Sequence, residues 1–163
     1  MARLAAAPER QSRFVEEKRL AALGAPLRSE GRLAYRKPGH LEKVTTSPVP
    51  ESLVVDGDRL VIGGGDGPPQ VVELGAQPEI RLLVDTIRGA LSGDLPLLRR
   101  SYDVTGEGTP GDWEIVLRPR DPAVARLVRE VRLSGGADLR RLRSVAVNGD
   151  TDTLDVGAGR DGR

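Results

Sequence analysis

Apolar and polar positions alternate with period two along most of the chain, the mark of strands with one buried face. Leu33 and Tyr35 alternate with Arg32, Ala34 and Arg36, and Pro38-Gly39 then predicts a turn. The run Leu53-Val54-Val55 stops at Asp56-Gly57, a type I′ hairpin signal, and residues 59–62 resume as its partner strand. The glycine-rich residues 63–69 predict a mobile loop, followed by a strand over 70–74. Further strands are expected over 113–117, 128–133, 142–147 and 153–156, the last two joined by an Asn148-Gly149 turn.

One stretch breaks the alternation. Residues 78–92 place Ile80, Leu83, Val84, Ile87 and Leu91 on a stripe at helical spacing, with Glu79, Arg81, Asp85 and Arg88 opposite. Pro78 suits a first turn, Gly93 an end, and Asp94 a cap for a short second helix carrying Leu95, Leu97 and Leu98. The chain therefore predicts a mainly β, α+β protein with a helical insertion between β-segments. Residues 8–23 stay open between helix and strand: they are good helix formers, yet Phe14 finds Glu17 and Lys18 where a helical stripe needs apolar partners. Residues 157–163 read as a flexible polar tail, leaving 1–156 as one domain.

Composition narrows the function. A chain of 163 residues, 38% hydrophobic, fits a single core. Lys and Arg number 25 against 24 Asp and Glu, so a formal charge of +1 offers no broad field for nucleic acid. Phe14, Tyr35, Tyr102 and Trp113 are the whole aromatic complement, which leaves few platforms for stacking. Cysteine is absent, so disulfides and thiolate metal sites are excluded. No run reaches the ~18–20 apolar residues of a membrane span, and residues 1–7 lack a secretory apolar stretch. An exported protein would have had its signal removed.

Motifs for chemistry are few. His40 is the single histidine and no G-x-S-x-G elbow accompanies it, so a solvent-exposed turn histidine is the expectation. The glycines of 63–67 lack the Lys-Ser/Thr of a phosphate loop. Asp56, Asp58, Asp150, Asp152 and Asp155 fit turn chemistry and lack calcium-loop spacing, so neither a metal site nor a cofactor is expected. Arg129, Arg132, Arg140, Arg141 and Arg143 could form a basic strip or a solvated strand face. An enzyme would need a pocket carboxylate such as Asp103 or Asp112.

The order of segments resembles the outer-membrane lipoprotein carrier (LolA-like) family, on its divergent branch. The resemblance rests on residues 14–18, GRLAYRKPGHL at 31–41, SPVPESLVVDGDRLVI at 47–62, IRGALSGDLPLLRRSYDV at 87–104 and WEIVLRP at 113–119, with a closing NGD turn. It implies an incomplete, strongly curved antiparallel β-barrel wrapped round lid helices, and it favours a strand near residues 13–20. It also implies a non-enzymatic, monomeric periplasmic carrier of an acylated lipid or lipoprotein, passing cargo from an inner-membrane donor protein to an outer-membrane acceptor. The alternative is an envelope interaction or sensor module built on the same sheet.

Such a carrier needs a partly unfilled apolar cavity, since each buried methylene is worth ~0.8 kcal/mol. The candidate lining is Leu33, Tyr35, Leu53, Val55, Leu60, Ile62, Val72 and Leu74 from strands, facing Ile80, Leu83, Val84, Ile87 and Leu91 from the lid helix. In the resembling family, the residue before the proline of the second strand latches the lid. Here it is Lys37, which continues the alternation of Leu33 and Tyr35 toward the concave side, whereas Arg36 points outward. Lysine lacks the planar fork of arginine, so its latch would be weaker.

Overall fold

The computed structural model describes residues 9–37 and 39–157. Its strands are β1 (Glu9–Arg19), β2 (Leu27–Arg36), β3 (His40–Ser47), β4 (Glu51–Asp56), β5 (Arg59–Gly63), β6 (Gln70–Glu73), β7 (Tyr102–Thr109), β8 (Asp112–Pro119), β9 (Val128–Gly135), β10 (Leu139–Ala146) and β11 (Thr151–Val156). They form one antiparallel sheet of 11 strands in the order β6-β5-β4-β3-β2-β1-β11-β10-β9-β8-β7. The barrel is not closed, because β6 and β7 pair on one side only. Helix α1 (Pro78–Ser92) and helix α2 (Leu95–Arg99) carry the chain from one free edge to the other, and a single turn, α3 (Pro122–Ala125), follows β8.

The first strand settles the open reading of residues 8–23. Glu9–Arg19 is strand throughout, paired with β2 over Glu9–Lys18 and with β11 over Phe14–Arg19. Phe14 and Glu16 turn inward because the sheet imposes period two on a segment whose composition alone suits a helix. Two strands lie outside the predicted set. In β3 the inward positions are Leu41 and Lys43, and in β7 Gly106 and Gly108 interrupt the apolar alternation. The reading of 157–163 as a flexible tail falls, apart from Gly157, outside the described residues.

Both predicted turns differ in detail. Asp56 pairs with Arg59, so the two-residue loop is Gly57-Asp58, with only Gly57 at positive φ, 61°. That is the II′ pattern rather than I′. Between β10 and β11 the connection is longer: Gly149 N–H donates to Ala146 O, Ala146 N–H to Asp150 O, and Gly149 sits at φ 99°.

Helix α1 is anchored at its C-terminal end. Ala90, Leu91 and Ser92 are buried, and a Cβ on Gly89 would come within 2.7 Å of Leu98 Cδ2, so α1 and α2 touch at closest approach there. Gly93 closes the helix at φ 71°, and Asp94 caps α2 by accepting from Leu97 N–H. Asp121 caps α3 in the same way through Ala123 N–H. The site lies beneath the middle of α1, at Leu83, Val84, Thr86 and Ile87.

Candidate binding cavity

The concave face is assembled by cross-strand register. Leu33 on β2 faces Lys43 on β3, which faces Leu53 on β4; Leu41, Val55 and Leu60 form the neighbouring row. Leu83, Val84 and Ile87 come down from α1, and Val131, Leu142 and Leu154 close the far side. Together these side chains enclose a cavity of about 250 Å³. Of the predicted lining, Leu33, Leu53, Val55, Leu60, Leu83, Val84 and Ile87 are brought together there. Leu83 is 44% exposed while touching the cavity, which puts it at the mouth.

The other predicted side chains lie elsewhere. Ile62, Val72 and Ile80 are half-buried against the core, and Leu74 is fully buried in the 3₁₀ turn before α1. Tyr35 and Leu91 line a separate recess of about 270 Å³ whose rim carries Arg10, Gln11, Ser12 and Asp138. Lys37 lies beyond the end of β2, in the turn, and is exposed. The alternation of Leu33 and Tyr35 therefore stops before it. Arg81, 3.1 Å from Asp58, and Arg88, which donates to Gly57 O and lies 3.3 Å from Asp85, tie α1 to the sheet's rim. Both strap the helix to the β4–β5 hairpin.

The sequence reading missed a polar end to the cavity. Glu16, Lys43, Thr86, Tyr102, Ser144 and Asp152 share its wall with the aliphatic residues. Lys43 Nζ donates to Glu16 Oε1 at 2.7 Å and sits 5.4 Å from the centre of the Phe14 ring. It reaches β1 across β2, which presents Gly31 between Phe14 and Thr45. At Gly31 the sheet bends so tightly that a Cβ would stand 1.9 Å from Val44 O, so no side chain blocks the crossing. Thr86 donates to Leu82 O at 2.8 Å, and Tyr102 hydroxyl donates to Thr86 Oγ1 at 2.6 Å. Burial raises the Tyr102 pKa above its usual value.

Asp152, taken from sequence as a turn residue, is a strand residue of β11. It pairs with Lys18 on β1 and Ser144 on β10, one diagonal step from Glu16. Burial, the neighbouring Glu16 carboxyl and its charge push the Asp152 pKa up to about 7, against the pull of Lys18 and Lys43. Burial also opposes ionisation of Glu16, but Asp152 and Lys43 outweigh it and hold Glu16 below its usual range. The two carboxyls thus keep one proton between them up to near neutrality.

Other candidates resolve differently. His40 opens β3 rather than sitting exposed in the turn; its ring is half-buried and Nε2 lies 2.6 Å from Glu42 Oε2. Asp103 and Asp112 are exposed and outside the cavity, and Asp103 pairs with Arg120. Arg132 and Arg141 of the basic strip are bound to Glu130 and Asp155. Among the described residues, no cluster has the makeup of a metal site, and no helix is long and apolar enough to cross a membrane.

A family model described as outer membrane lipoprotein carrier protein LolA-like matches residues 1–163. No curated protein matches the chain. Among solved structures, it is similar to a LolA superfamily protein from Nitrosomonas europaea at 12% identity, TM-score 0.47, covering 93% of this chain and 86% of that one. It is also similar to MucB, at 15% identity and TM-score 0.48, covering 99% of this chain and 57% of that one. The Pseudomonas aeruginosa MucA/MucB complex gives 16% identity and TM-score 0.46, and the chain again spans 57% of the matched one.

Proposed function

Since this chain belongs to the LolA-like family of outer-membrane lipoprotein carrier proteins, we propose that it is a non-enzymatic periplasmic carrier that shelters an acyl chain under α1. The observation that carries this reading is the largely aliphatic cavity of about 250 Å³ beneath the middle of α1. A well-packed domain of this size leaves few voids larger than a water molecule. Each methylene entering would gain ~0.8 kcal/mol, so a chain of lipid length is drawn in by burial alone. Leu83 at the mouth gives the chain an apolar path in, and the Arg81 and Arg88 contacts set how readily the lid parts from the β4–β5 hairpin.

In this reading the protein works as a monomer, takes an acylated lipid or lipoprotein from an inner-membrane donor protein and yields it to an outer-membrane acceptor. Native mass spectrometry of protein recovered from its own envelope tests it. A co-purifying acylated species, displaced by a fluorescent acyl probe, is the expected result. A ligand-free protein that also fails to take up the probe would overturn the carrier reading, and a co-purifying polypeptide without acyl chains would favour an interaction module.

A further inference from the structure

The aliphatic cavity accounts for chain binding but not for its polar end. Charged side chains cost free energy in an apolar wall unless they are paired, and an apolar cargo gains nothing from them. Lys43 and Glu16 satisfy one another at 2.7 Å, with Glu16 only 6% exposed. Asp152 shares a proton with Glu16, but its Oδ1 is buried and has no hydrogen-bond partner among the described residues. The charged groups facing it are Glu16 and Lys18 from β1 and Lys43 from β3. β10 presents the Ser144 hydroxyl, and α1 adds no charge to the cavity wall, only Thr86. The surplus at this end is therefore a carboxyl oxygen that accepts hydrogen bonds, beside aliphatic walls.

Resting on the carrier reading above, we infer that the cavity selects an aliphatic chain bearing a hydrogen-bond donor, a hydroxyl or an amide N–H, whose donor meets Asp152. A free anionic head is disfavoured, because it would add a third negative group beside Glu16 and Asp152, where Lys43 is already engaged by Glu16 and Lys18 is the one other lysine facing them. A chain whose polar atom is only an acceptor leaves Oδ1 of Asp152 unpaired. Near pH 8 Asp152 is mostly ionised and needs the donor; near pH 5 it carries its own proton and tolerates an acceptor instead.

The test is displacement of a fluorescent acyl probe from the full chain by dodecanol, dodecanamide, dodecyl methyl ether and dodecyl sulfonate, all below their micelle concentrations. At pH 8 the alcohol or the amide should bind about tenfold more tightly than the ether and the sulfonate, and the tighter of the two identifies the donor. The preference over the ether should shrink at pH 5. Asp152→Leu should bring alcohol and ether within about twofold of each other. Asp152→Asn, which keeps the shape, should tighten sulfonate binding about tenfold by removing one negative charge. Equal affinity of wild type for all four compounds at pH 8 overturns the inference and leaves the carrier reading standing. Binding of none of them overturns both, and the wild-type pH comparison decides the matter even if a variant misfolds.

Discussion

Strands β8 and β9 turn Trp113, Ile115, Leu117, Val131 and Leu133 inward and bury every one, whereas on β4, β5 and β6 only Val55 and Leu60 are buried and Leu53, Ile62 and Val72 stay half-buried. Both regions have the same pleat and the same alternation. They differ in what covers them. Against β8 and β9 packs α3 with the buried Val124, and the Trp113 indole donates to Gly136 O at 2.7 Å. Beside β3, β4 and β5 lies the cavity, faced by Leu83, Val84 and Ile87 of α1, which Arg81 and Arg88 strap to the β4–β5 hairpin. A cavity arises here from a missing plug and not from a distinct strand pattern.

The strongest way to break this comparison is to truncate matched leucines. Leu133→Ala, in the fully buried region, should lower the unfolding free energy by about 3–4 kcal/mol, and Leu53→Ala, beside the existing void, by about 1 kcal/mol or less. Urea denaturation with equal slopes reads both. Similar losses would mean that the two halves are equally packed.

Next in size is a pH effect confined to the open half. The folded-state pKa of Asp152 stands above its unfolded value, so the folded protein holds a proton that the unfolded chain releases. Stability from this proton is complete below about 4 and is lost as pH rises toward about 7. The loss should be of order 2 kcal/mol, less than the ideal for such a shift because the side chain is not wholly withdrawn from water. Glu16, with its lowered pKa, works oppositely but at 4.5 and below, outside this window. Asp152→Asn should flatten the fall between pH 5 and 7.5 in thermal or urea melts; a profile as steep as wild type would assign the proton elsewhere.

Leu83→Asp should weaken acyl-probe binding about tenfold with a stability change of about 0.5 kcal/mol, because the residue stands at the mouth and is already part-solvated. Ile87→Asp, deeper on the same face, should weaken both. The smallest effect sharpens the picture of the lid. Arg88→Ala should speed probe transfer to acceptor vesicles about threefold by removing a strap to Gly57, while Arg36→Leu should match wild type. Transfer at the wild-type rate from Arg88→Ala would mean that this strap does not hold the lid, and slower release from Lys37→Leu would place a latch in the turn after β2.

Alternation made most of the sheet legible, and α1 was legible to the residue from its stripe, its Pro78 and its Gly93. What escaped had a physical reason in each case. In β3, Lys43 occupies an inward position and reads as outward; its neutraliser, Glu16, is distant in sequence and only the register of β1 and β2 reveals it. In β7, glycines stand where apolar side chains would signal a strand. The aliphatic wall was partly foreseen because burial is written in residue type, but which leucines touch the void depends on where α1 lies. Asp152 had a signal that composition obscured: it lies two residues before Leu154, on the same face of a recognised strand.

The open barrel has one more consequence. A closed barrel has no unpaired backbone at its margins, whereas this sheet ends in β6 and β7, each offering a row of amide and carbonyl groups to any extended chain nearby. Both margins are poor templates. β6 has four residues and follows two prolines, and β7 bends at Gly108, with φ 112°, before Pro110. Short, kinked borders of this kind discourage edge-to-edge stacking of copies, so the gap in the wall can remain a gap without becoming a seam for aggregation.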